Sequence, residues 1–282
     1  MLGSSTNLVK KHNLLQLNWG CILALAVFFI LPGCAKEVKV EHKERPVEDL
    51  YNEAIDDLEN KKFKEATEKF DDVERQHPYS IWASKAQLIS SFAQYQNNNY
   101  DDALISLDRF IQLHPAHKDI AYAYYLKALC YYEQISDVVR DQAMTELALT
   151  AFKELIIRFP DSKYTRDATL KLDLTNDHLA GKEMEIGRYY HKQGHFLAAI
   201  NRFRNVVGKF ETTTHVAEAL HRLTECYRAL GLAEDAQKTA AVLGHNFPES
   251  NWYLDSYQML KGTPVKKIKE QEGPWYEVWK GW

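Results

Sequence analysis

His191 and His195 stand four residues apart, a spacing that can present two imidazoles to one metal ion from one helical face. A zinc hydrolase could use such a pair. Gly194 interrupts it, and no carboxylate follows in the His-Glu-x-x-His manner. His114 and His117 flank a turn and make no stronger case for metal. Glu183 with Glu185, and Asp56 with Asp57, could serve as acid and base, but they read more simply as solvated helix charges. Ala180-Gly181-Lys182 lacks the earlier glycine and the Ser or Thr of a phosphate loop. No Gly-x-Ser-x-Gly elbow is present to raise a nucleophile. The side chains give no reason to expect an enzyme, a bound metal or a cofactor.

Cys34 offers different chemistry. Lys10, Lys11 and His12 make a positive cluster, and Cys21 to Leu31 form an apolar run of 11 residues. That is short of the ~20 needed to cross a bilayer and fits the core of a signal peptide. The run ends in Leu31-Pro32-Gly33-Cys34, which resembles the cleavage and acylation box of bacterial lipoprotein precursors. The resemblance implies that residues 1–33 are removed and that Cys34 carries the acyl chains. At about 0.8 kcal/mol per buried methylene, three chains hold permanently. Ala35 follows the cysteine where inner-membrane lipoproteins usually carry Asp, so the expected destination is the outer membrane. Residues 34–46 read as a lipidated tether. Cys130 and Cys226 sit 96 positions apart in apolar helical stretches and read as separate buried thiols.

The rest of the chain must position any binding surface, and it does so by repetition. An alanine, a large apolar residue four later, another seven later and a proline twelve later recur along the sequence. The copies are Ala66, Phe70, Val73, Pro78, then Ala103, Leu107, Phe110, Pro115, then Ala148, Phe152, Leu155, Pro160. Ala199, Phe203 and Val206 follow with Glu211 in the proline's place, and Ala236, Ala240, Leu243, Pro248 close the series. Positions 0, 4 and 7 lie on one helical face, and proline stops the helix. A helical segment and a polar turn precede each alanine. This resembles the tetratricopeptide repeat, whose period is about 34 residues. The spacings of 37, 45, 51 and 37 mean that the repeats are padded, and the longest insert is expected around Gln134 to Leu147, as a projecting loop or extended helix. The fold class is all-α: a right-handed α-solenoid of about five helix pairs over residues 47–262. Tyr253 to Leu260 are expected to cap its open end.

Composition agrees. In 282 residues there are only 12 glycines and 8 prolines, too few turn-formers for an all-β chain. A net charge of -4 excludes a global basic field for nucleic acid. A mean hydropathy of -0.44 excludes a multi-span membrane protein. Residues 263–282 form a tail with Lys266, Lys267 and Lys269 before Trp275, Tyr276, Trp279 and Trp282. It reads equally as a partner or membrane contact and as aromatic packing on the last repeat.

Several stretches carry a closer likeness: His77-Pro-Tyr-Ser-Ile-Trp82, Leu107-Asp-Arg109-Phe-Ile-Gln-Leu-His114-Pro, Tyr122-Ala-Tyr-Tyr125, Phe159-Pro-Asp161-Ser-Lys-Tyr164 and Leu179-Ala-Gly-Lys182-Glu-Met-Glu-Ile-Gly-Arg188. Together they resemble the BamD (ComL) family of outer membrane protein assembly lipoproteins, over roughly residues 34–255. The resemblance implies a scaffold without catalysis, lipid-anchored at the outer membrane and facing the periplasm. Its implied partners are the barrel subunit BamA, accessory lipoproteins of the β-barrel assembly machine and unfolded outer membrane protein segments. Later repeats would bind the barrel subunit, with Arg188 and Arg202 near that surface. Earlier repeats would offer a groove, for which Tyr79, Trp82, Phe92, Tyr95, Tyr124 and Tyr125 are the aromatic candidates. Each has a plainer reading, core packing for the aromatics and an exposed helix charge for the arginines. A secretin pilot or a peptidoglycan-associated factor would share the anchor and the repeats.

Overall fold

The computed structural model describes residues 45–262. Cys34, the expected signal segment 1–33, most of the expected tether 34–46 and the tail 263–282 lie outside them. Among the described residues there are helices and no strands. They pair in chain order: α1 (Val47–Glu59) with α2 (Phe63–Gln76), α3 (Ile81–Gln96) with α4 (Tyr100–Leu113), and α5 (Ile120–Tyr132) with α6 (Ala143–Arg158). Two more pairs follow, α7 (Thr165–Lys192) with α8 (Phe196–Lys209) and α9 (Val216–Ala229) with α10 (Ala233–Asn246). A single helix, α11 (Asn251–Lys261), packs on α9 and α10. Each helix packs mainly on its chain neighbours, the nearest-neighbour logic of an all-α solenoid.

The repeated residues form its spine. Ala66, Phe70 and Val73 are wholly buried, as are Ala103, Leu107, Phe110, Ala148, Phe152 and Leu155. Ala199, Phe203, Val206, Ala236 and Leu243 match them. Each buried large side chain contributes about 1.5–3 kcal/mol, so this face alone explains why the second helix of each pair is docked.

Both turn types repeat as well. Within four of the five pairs the chain passes through a left-handed residue, Lys61 at φ 59°, Asn98 at 60°, Gly194 at 77° and Gly231 at 76°. The next amide then reaches back five residues, as Lys62 N–H does to the Asp57 carbonyl. That is the Schellman closure, and it satisfies a helix-end carbonyl. Between pairs, the residue before the proline leaves the helix at φ near -130° (His77, His114, Phe159 and Phe247), because proline's ring bars the α region there. Phe210 takes the same shape at φ -127° although Glu211 follows it. Packing thus holds the turn where proline is missing.

The padding divides differently from the sequence reading. Residues 134–142 form a loop, and α6 begins at Ala143. The widest spacing, 51 residues, is taken up by α7, which runs for 28 residues. The longest insert is therefore mainly in this helix and not around Gln134 to Leu147.

Candidate functional site

Tyrosines from α3, α5 and the residue that precedes α7 gather in one region. The Tyr125 hydroxyl donates to Asp167 Oδ2 at 2.6 Å, and its ring stacks on Tyr164 at 5.0 Å between centroids. Tyr122 lies 5.3 Å from the same Tyr164 ring. The Tyr95 hydroxyl donates to Glu133 at 3.3 Å, and Phe92 stacks beside it. Lys171 pairs with Asp167 at 3.4 Å and lies over the Tyr132 ring. Burial first, then the nearby carboxylates, push the phenols of Tyr95 and Tyr125 well above their usual range. They stay protonated donors at any physiological pH. The surface can therefore offer flat aromatic area, phenol oxygens as acceptors and the remaining carboxylate lone pairs to an extended chain, and its phenol donors only in exchange for their carboxylate bonds.

The groove candidates fall into separate places. Phe92, Tyr95 and Tyr125 belong to this cluster. Tyr79 is fully exposed in the turn after α2. Trp82 is half-buried against Tyr51 at 4.7 Å, in the first pair's own core. Its helix starts there because Ser80 Oγ accepts from the Trp82 amide at 2.9 Å. Tyr124 is buried in the core, facing Phe159 at 5.3 Å with the Arg158 guanidinium over its ring. Sequence reasoning passed over Tyr122, Tyr164 and Asp167. Helical spacing held the signal: Tyr122, Tyr125 and Tyr132 share one face of α5, while Tyr124 points with Ile120 into the core.

A second polar region covers the rear pairs. Arg188 donates to Glu218 at 2.9 Å and to Glu185 at 2.6 Å. Arg202 donates to Glu183 at 3.1 Å, and Asn205 reaches the same carboxylate. Arg222 joins Glu218 to Glu225, and both His221 and His191 approach Glu225. Burial opposes the charge of Glu225, yet hydrogen bonds from His221 and Arg222 hold its pKa at about 2. Arg188 belongs to a charge network linking α7 to α9, while Arg202 and Asn205 form a second group that links α8 to α7 through Glu183.

His191 and His195 have different neighbours. His191 lies at the end of α7 against Phe196 and Glu225, and His195 caps α8 beside Tyr190. Among the described residues no group of three His, Cys, Asp or Glu side chains could hold a metal ion. Cys130 and Cys226 are free, buried thiols whose pKa burial pushes up to about 12. No described helix is long and apolar enough to cross a membrane.

A family model described as "YfiO: Outer membrane lipoprotein" matches residues 43–243. The chain belongs to this family. Similar members include the "Outer membrane protein assembly factor BamD" of Caulobacter vibrioides, 47% identical over 88% of this chain and 83% of that one. The protein of the same name from Rickettsia prowazekii is 46% identical over 84% and 94%. That of Neisseria meningitidis serogroup A is 32% identical over 92% and 98%. Among solved structures, the "TPR2AB-domain:pHSP90-complex of yeast Sti1" is a likeness at 11% identity and a TM-score of 0.41, over 76% of this chain and 83% of that one. In the YfiO family match, both the tyrosine cluster and the charge network fall inside the matched residues.

Proposed function

We propose that this chain is an outer membrane protein assembly factor, acting as a lipid-anchored scaffold in the β-barrel assembly machine. The observation that carries this is the likeness to assembly factors at 47% and 46% identity over most of both chains. Stacked helix pairs suit the role, because they offer a long surface on which partners can bind. Cys34 is the anchor, holding the solenoid at the periplasmic face of the outer membrane. The charged groups on the rear pairs, those around Arg188 and the Arg202–Glu183 pair, are the contact for the barrel subunit BamA. The tyrosine cluster receives unfolded outer membrane protein segments. Such segments are extended and amphipathic, with free amides and carbonyls. Neutral phenols and the Glu133 and Asp167 carboxylates match those groups, and the rings match their apolar side chains.

Photocrosslinking in cells tests the substrate part. A benzophenone amino acid at Tyr95 or Tyr125 should yield adducts with outer membrane proteins still in their unfolded form. The same probe at Ile157, exposed on α6, should yield none. Equal adducts from Ile157, or none from the tyrosines, would remove the cluster as a substrate site.

A further inference from the structure

The core is interrupted midway along α7. One buried cluster takes in Leu107, Phe110 and Phe152 and reaches α7 at Ala168, with Leu172 packed on it. A separate cluster begins at Ala180 and Met184 and continues through Phe203 and Leu243. Between them α7 carries Thr175, whose hydroxyl turns back to its own helix at the Lys171 carbonyl. His178 follows, with Nε2 buried and unpartnered. Two clefts, about 300 and 400 Å³, open on either side of His178. Apolar packing is thin at this point; the front part itself holds two clusters, the one above and another that runs from Leu50 to Ala93.

Polar contacts bridge the gap from both directions. From the rear, Asp177 Oδ1 accepts from the amide and hydroxyl of Thr214 at 3.0 and 2.8 Å. From the front comes the 134–142 loop. It is a preformed piece, because the buried Gln142 amide donates to the carbonyls of Asp137, Val138 and Arg140. Only a few groups tie it to α7. Lys182 Nζ donates to the Val139 and Arg140 carbonyls at 2.8 and 3.1 Å, and Val138 rests over Gly181. The Ser136 backbone lies close to the His178 ring. The Lys182 bonds are exposed to solvent and so cost little to open.

We propose that the 134–142 loop is a latch, held by Lys182, across a joint between the separately cored front and rear parts of the solenoid. Closed, it fixes their relative angle. Open, it leaves α7 as the main connection, and the angle varies. The device places the tyrosine cluster and the rear charge network on opposite sides of one adjustable joint.

The test uses the full mature chain in detergent, spin-labelled at Asp102→Cys and Gln237→Cys, both exposed. The two buried native thiols stay unlabelled. The parent should give one narrow distance distribution. Lys182→Met keeps the aliphatic stem but removes the donors, and should at least double the width. Lys182→Arg should restore it. Amide exchange of residues 136–142 should quicken about tenfold in Lys182→Met, with no change in α2 or α10. An unchanged width in Lys182→Met would overturn the joint, even if exchange in the loop rises. Unchanged exchange would overturn the latch.

Discussion

Glu225 is half-buried, and its carboxylate stays charged because His221 and Arg222 reach it. A depressed carboxylate pKa stabilises the fold above the unfolded value near 4.5, and that stability is lost as pH falls toward about 2. With solvent screening the contribution is about 1–2 kcal/mol. Glu225→Gln should therefore melt lower at pH 7, and its curve should meet the parent's near pH 2. Parallel curves across that range would contradict the assignment. Arg202 has one carboxylate partner, Glu183, so Arg202→Glu sets two carboxylates together on the rear face. It should lower capture of the barrel subunit several-fold, and equal capture would remove Arg202 from that contact. Some pairings are local, as for Glu225 with Arg222 and Arg188 with Glu185, three apart. Those that tie one helix to another, such as Arg202 with Glu183, Arg188 with Glu218 and Tyr95 with Glu133, span 19, 30 and 38 positions. No local pattern in the sequence shows such pairs, which is why the arginines read there as free charges. The core alanines and phenylalanines were legible because their partners lie on their own helix face.

The elements owe their regularity to two turns and one buried stripe, all visible in sequence spacing. Less visible was α7, because its extra turns carry ordinary helix formers and no stop signal before Gly194. One position on it shows how closely it packs. A Cβ added at Gly187 would come within 2.4 Å of the Phe203 ring, whose side chain is wholly buried and cannot retreat. Gly187→Ala should cost about 1–3 kcal/mol. Thermal unfolding of the variant checks this, and an unchanged midpoint would mean that the two helices are not in such close contact. Gly194 differs, since nothing surrounds it and its φ of 77° is the reason for glycine there. Lys61 and Asn98 adopt the same left-handed shape at some strain, so the turn is imposed by the pairing of the helices as much as by residue choice.

At the scale of the whole molecule, stacking of neighbours makes one long surface from pieces that could not fold alone. The solenoid and its repeat number could be read from the five phased copies. Where its cores part could not, because the stretch from Thr175 to His178 meets its neighbours through polar contacts between residues far apart in the chain, as Asp177 does with Thr214. The anchor proposed at Cys34 is a separate element of the design. Cys34→Ala should release the chain from carbonate-washed membranes, and unchanged fractionation would contradict acylation there. The central claim is that this solenoid serves barrel assembly, and affinity capture of the full, lipidated chain from detergent-solubilised envelopes tests it most directly. The expected result is co-recovery of the barrel subunit BamA in near-stoichiometric amount. Recovery of a secretin in its place, with no barrel subunit, would contradict the claim.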